Sequence, residues 1–112
     1  TQLVTKGFHF PELTLVGVVD ADLGLEGGDL RAAERTYQQI AQVAGRAGRG
    51  AKPGEVLIQT RHPGAPVIAA LAAGDRDAFY AAETEARRDA GAPPIGRWAA
   101  IIVSSEDEAD AR

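Results

Sequence analysis

Cysteine is absent from the 112 residues and histidine occurs only twice. Neither a disulfide framework nor a thiolate zinc site can therefore be built from these residues, and two imidazoles are too few for a metal cage. Aromatic residues make up only 5% of the chain. No apolar run approaches the roughly 20 residues that cross a bilayer, and the N-terminus lacks the charged, apolar, small-residue order of a signal peptide. No membrane partner is expected, and the cytoplasm is the default compartment. The G-x-x-x-x-G-K-[ST] phosphate cradle is also missing. The nearest stretch, GRGAKPGE at 48–55, has the wrong spacing and no hydroxyl after its lysine.

What is present is enough for one globular domain, with a hydrophobic fraction of 45%. The formal net charge of −4 argues against a protein that coats nucleic acid generally. The charge is unevenly placed, however. From Arg31 to Lys52 the only acid is Glu34, set against Arg31, Arg35, Arg46, Arg49 and Lys52, whereas Glu106, Asp107, Glu108 and Asp110 crowd the C-terminus. A local basic face is expected within an acidic total. The chain begins at Thr1 without methionine and stops inside an acidic, alanine-rich run, which reads as an excised fragment.

LTLVGVV, Leu13 to Val19, is short, apolar and rich in β-branched residues, which suits a strand buried on both faces. DADLGLEGGD then reads as a loop, with Asp29 as N-cap of a helix from Leu30 to about Gly48. Leu30, Ala33, Tyr37, Ile40, Ala44 and Ala47 give that helix one apolar stripe, its core face. GEVLIQT, Gly54 to Thr60, is a second strand between Pro-Gly signals. Strand, helix, strand implies a crossover between parallel strands and an open α/β sheet. Two further helices are expected over 66–73 and 75–90, a break at GAPPIGR, and a third strand over Trp98 to Ser105. The expected division is residues 1–92 as one lobe and 93–112 as the truncated start of a second domain.

QVAGRAGRG, Gln42 to Gly50, places two arginines and three glycines at the end of the first helix. If the helix persists, with Gln42 at zero, Arg46 falls at about 40° and Arg49 at about −20°, one face opposite the apolar stripe. Arginines near a helix C-terminus also complement its dipole, and Gly48 or Gly50 could be an ordinary C-cap. The full spacing suits a polyanion better. Two guanidiniums and an amide on one face, with glycines that admit another surface, fit a nucleotide's terminal phosphate. A non-catalytic module binding anions or protein through the same face is the alternative.

QVAGRAGR resembles motif VI of superfamily-two helicases, and TQLVTKGFHFPELTLVGVVDAD resembles their motif V in the form found in the primosomal replication-restart helicases. The resemblance continues through RAAERTYQQIAQVAGRAGRG, GEVLIQTRHP and APPIGRWAAIIV, nearly the whole chain. It implies an α/β fold that is part of a second RecA-like motor lobe. It further implies that Gln42 and Arg46 approach the γ-phosphate of ATP and that Arg49 is the arginine finger. Thr1, Gln2, Lys6 and Gly7 would couple nucleotide state to the single-stranded DNA backbone, while His9 stands where many relatives carry an acid or amide. The implied parent is an ATP-dependent 3′–5′ DNA helicase. It would act at stalled forks with single-stranded and forked DNA, primosome proteins and single-stranded DNA-binding protein. ATP, magnesium and zinc would be held mostly by residues outside this chain, because the DExH-type acids and the cysteines are not in it. The chain alone should be inactive.

Weaker signals have plainer readings. Asp20 and Asp22 imitate a magnesium site but read as loop acids, Lys6 could be simply solvated, and His62 before Pro63 reads as a turn residue. Trp98 reads as packing. Arg87 and Arg88 read as a solvated helix face.

Overall fold

The computed structural model describes residues 12–26, 28–48, 50, 52–99 and 101. Strand β1, Leu15–Val18, and strand β2, Glu55–Ile58, pair in parallel with Leu15 opposite Glu55 and Val18 opposite Ile58. Two further backbone bonds, Glu55 N to Thr14 O at 2.7 Å and Gln59 N to Val18 O at 2.9 Å, extend the ladder beyond its ends. β1 stops because Asp20 turns left-handed, at φ 54°, a conformation a short polar side chain tolerates. A 3₁₀ turn, Ala21–Gly24, follows.

The strand positions match the expectation, but their burial does not. Alternation sends Val16, Val18, Val56 and Ile58 to one face and Leu15, Gly17, Glu55 and Leu57 to the other. Val16 is buried, whereas Leu15 and Leu57 remain 52% and 54% exposed. Continuous apolarity was therefore a poor guide here. It reads as burial on both faces only where both faces are covered, and among the described residues the helices pack with one.

Helix α1, Ala32–Ala44, is shorter at both ends than the apolar spacing predicts. Asp29 still prepares its start: its Oδ1 accepts from Arg31 N at 2.9 Å and its Oδ2 from Arg35 Nη1 at 2.7 Å. At the other end the bonding tightens. Arg46 N donates to Val43 O and Ala47 N to Ala44 O, so three-residue turns replace the α-helix across Gly45–Gly48. Tyr37 and Ile40 are buried and Leu30, Ala33, Ala44 and Ala47 half-buried, as the stripe requires.

Helix α2, Pro66–Ala73, begins on proline and ends at Gly74, whose φ of 66° closes a left-handed cap. Asp75 then caps helix α3, Arg76–Asp89, by accepting from Ala78 N at 2.9 Å. Both helices lie where expected. The core forms where Tyr37, Ile40, Val67, Ile68, Ala70 and Phe79 meet Ala21. At its centre Phe79, 2% exposed, stacks on Tyr37 with ring centroids 4.5 Å apart.

After α3 the chain turns on itself. Ala92 is 1% exposed and takes backbone bonds from Ile95 N and Gly96 N. Of the third expected strand, Trp98, Ala99 and Ile101 are described and none is in a strand, and the other positions lie outside the described residues. Trp98 is not in the core: it is 59% exposed.

Candidate functional site

The C-terminal end of α1 carries the Gln42–Arg46 motif. Gln42 sits in the last turn of the helix with its side chain exposed, on the side away from Tyr37 and Ile40. Arg46 does not share its full exposure. It lies beyond the helix, half-buried, with its Nε shielded from solvent. Gln42, Gly45 and Arg46 are each engaged by neighbouring groups of the chain. The geometry of one continuous helix face therefore ends at Ala44, and Arg46 is presented by a tight turn instead. Arg49, Thr1, Gln2, Lys6, Gly7 and His9 lie outside the described residues.

Gly48 of this motif serves the chain itself. Gly48 has φ 71°, and its N–H donates to Leu13 O at 2.9 Å. A Cβ built on Gly48 would lie 2.4 Å from Gly54 N, and one built on Gly54 would lie 2.3 Å from Gly48 N. Two backbones thus meet without side chains between them, so that the end of the motif reaches the start of β2. Room for an approaching partner was the sequence-based reason for Gly48; internal close packing is the structural one.

The expected basic face is also smaller than the sequence suggests. Arg35 pairs with Asp29, and Arg31 pairs with Glu34 at 3.3 Å, so acids just outside or within the segment neutralise its first two arginines. These exposed pairs are weak individually, but they spend the charges locally.

Two polar residues matter more than their sequence signals indicate. Asp22, read as a loop acid, is buried at 2% exposure. Its Oδ1 accepts from Thr60 Oγ1 at 2.5 Å and its Oδ2 from Arg61 N at 2.7 Å, tying the end of β1 to the end of β2. The Arg61 N–H and then the Thr60 hydroxyl hold its carboxyl below the usual range against the opposing effect of burial. The charges of His62 and Arg61 act in the same sense. His62 opens a turn by accepting from Ala65 N, as expected of it. The lone sequence clue to Asp22 is its place in the loop a few residues after a strand.

Arg87, by contrast, contradicts its expected solvation. Its side chain is 13% exposed. Nε donates to Glu83 Oε1 at 2.9 Å and Nη1 to Pro93 O at 3.1 Å. Nη2 donates to Leu30 O at 3.1 Å and to Glu34 Oε1 at 2.5 Å. Two apolar-poor turns of α3 gave no hint of this, because the partners at Leu30 and Glu34 are more than fifty positions away. Arg88 does remain exposed, paired with Glu85.

A parallel strand pair joined through a helix, with further helices packed on that helix, is a mixed α/β arrangement and is consistent with part of a RecA-like lobe. No family model matches the chain. Curated relatives do. The chain is 51% identical over 109 residues, 97% of its length, to the replication restart protein PriA of Rickettsia conorii. It is 44% identical over its full length to that of Treponema pallidum and 45% identical over 99% of its length to that of Bacillus subtilis. The chain belongs to the PriA family. It spans 17% of the Rickettsia and Treponema proteins and 14% of the Bacillus one.

Proposed function

We propose that the chain is part of a replication restart protein that hydrolyses ATP to move 3′–5′ along DNA, and that it supplies one side of the nucleotide site. The supporting observation is the exposed Gln42 at the end of α1, one tight turn before Arg46, in a chain 51% identical to a PriA protein over 97% of its length. In this reading Gln42 and Arg46 bind the γ-phosphate and Arg49 stabilises the charge that spreads over the transferring phosphoryl oxygens. Thr1, Gln2, Lys6 and Gly7 sense the DNA backbone.

The residues present fit the anion end of the site and not the metal end. Guanidiniums and an amide are phosphate ligands, and among the described residues no three carboxylates, histidines or cysteines gather to hold a cation. Magnesium and zinc in the intact protein are assigned to residues outside this chain. Residues 1–92 belong to the second motor lobe in this reading, and 93–112 open the domain after it. Forked DNA, primosome proteins and single-stranded DNA-binding protein are the proposed partners and the cytoplasm the proposed compartment. Among the described residues no helix is long and apolar enough to cross a membrane.

Arg49→Lys in the full-length protein tests the reading. Turnover should fall by roughly 10³-fold or more, the scale of an arginine finger, with folding and DNA affinity nearly intact. Lost nucleotide-independent affinity with turnover preserved would instead favour a binding module, and no change would make the arginines structural caps.

A further inference from the structure

One guanidinium joins three separated stretches of the chain. Arg87 holds Glu83 within its own helix, Leu30 and Glu34 at the start of α1, and the Pro93 carbonyl in the turn that follows α3. Neutralising charge would require only the two carboxylates. The two carbonyl contacts use the remaining geometry of the fork, which a lysine cannot reproduce.

The placement along α1 gives these contacts leverage. The Tyr37–Phe79 stack fixes the middle of α1 against α3, Arg87 fixes its start, and Gln42 lies on the far side of that stack. From Glu34 to Gln42 is eight residues, about 12 Å along one rigid helix. Because α1 is one helix, the way Leu30 and Glu34 are held bears on the tilt of its far end, where Gln42 and the turn that carries Arg46 lie. The Pro93 carbonyl shares the same guanidinium, so the position of the 93–96 turn and the pose of α1 are mechanically linked.

We propose that Arg87 is a positioning residue for ATP turnover, one that sets the pose of Gln42 and Arg46 through Glu34 and Leu30 according to where the 93–96 turn sits. This rests on the reading of Gln42 and Arg46 as phosphate ligands. The test compares Arg87→Lys, Arg87→Met and Arg46→Ala in the full-length protein, measuring DNA-dependent ATP turnover and melting temperature together. Arg87→Lys keeps the charge but not the fork. It should lower kcat about tenfold or more, because a misplacement near 1 Å suffices for that. The fall should persist at saturating ATP, since displaced Gln42 and Arg46 misalign the γ-phosphate that they hold even when the site is filled.

Unchanged kcat in Arg87→Lys would overturn the proposal. So would turnover that simply follows the melting temperature across the lysine and methionine variants, because that is what a structural strut would give. If Arg46→Ala leaves turnover intact, the phosphate-ligand reading fails and the positioning role fails with it. If Arg46→Ala abolishes turnover while Arg87→Lys does not, only the positioning role is lost.

Discussion

Gly48 and Gly54 touch backbone to backbone, closely enough that a methyl group on either would come within 2.4 Å of the other's nitrogen. The contact joins the end of the arginine motif to the start of β2. Gly54→Ala should destabilise the chain by about 1–3 kcal/mol, the usual cost of forcing a methyl into filled space. Gly48→Ala should cost more, since its left-handed backbone adds about 1–2 kcal/mol for a residue with a Cβ. Urea midpoints of the two variants measure the difference. A Gly54→Ala midpoint equal to the wild type would show that the contact does not exist.

Asp22 makes stability depend on acid. Its folded-state pKa is depressed by the Arg61 N–H and the Thr60 hydroxyl, so the ionised form is favoured by folding. The stabilisation is complete above the unfolded carboxyl value of about 3.9 and is lost as pH falls below it, through the folded pKa. Asp22→Asn removes the charge at every pH. The gap in denaturation midpoint between wild type and Asp22→Asn should therefore be wide at pH 7 and narrow toward pH 3, and a constant gap would contradict this account.

Phe79 anchors α3 to α1 through Tyr37. Phe79→Ala should cost about 3–5 kcal/mol, as aromatic deletions in cores do. That is a large part of the 5–15 kcal/mol typical of a folded domain, so thermal unfolding should broaden or disappear. Trp98→Ala, at a residue 59% exposed, should change stability by no more than about 0.5 kcal/mol. Calorimetry of the pair separates core from surface.

The 112-residue chain by itself should hydrolyse no ATP above the buffer rate, because the G-x-x-x-x-G-K-[ST] cradle is not among its residues. A phosphate-release assay at high chain concentration checks this. Robust turnover that Arg46→Ala abolishes would show a complete site where half of one is proposed.

Local chemistry was legible in the sequence wherever neighbours in the chain decide structure. Pro66, Gly74 and Asp75 each mark a helix end by their own backbone or side-chain preferences, and the boundaries of α2 and α3 follow them closely. Tyr37 and Ile40 announce the core face of α1 by spacing alone. What could not be read depends on distant partners. α1 stops at Ala44, short of the expected Gly48, because the chain must turn to bring Gly48 against Gly54. Arg87 is buried because Leu30, Glu34 and Pro93 gather around it, and no pattern within α3 encodes that. Leu15 and Leu57 look like core residues in the sequence and are not, because alternation along a strand does not say whether the second face is covered.

That second face has a consequence for handling the chain. Leu15 and Leu57 lie diagonally on one face of a parallel ribbon of two strands, Leu15 opposite Glu55 and Leu57 opposite Gly17, each about half exposed. Two strands are too few to be self-sufficient. Of the four strand residues on this face Glu55 alone is charged, and it stands opposite Leu15 rather than Leu57. A polar residue at position 57 should therefore raise the solubility limit of the 112-residue chain, which light scattering over a concentration series measures.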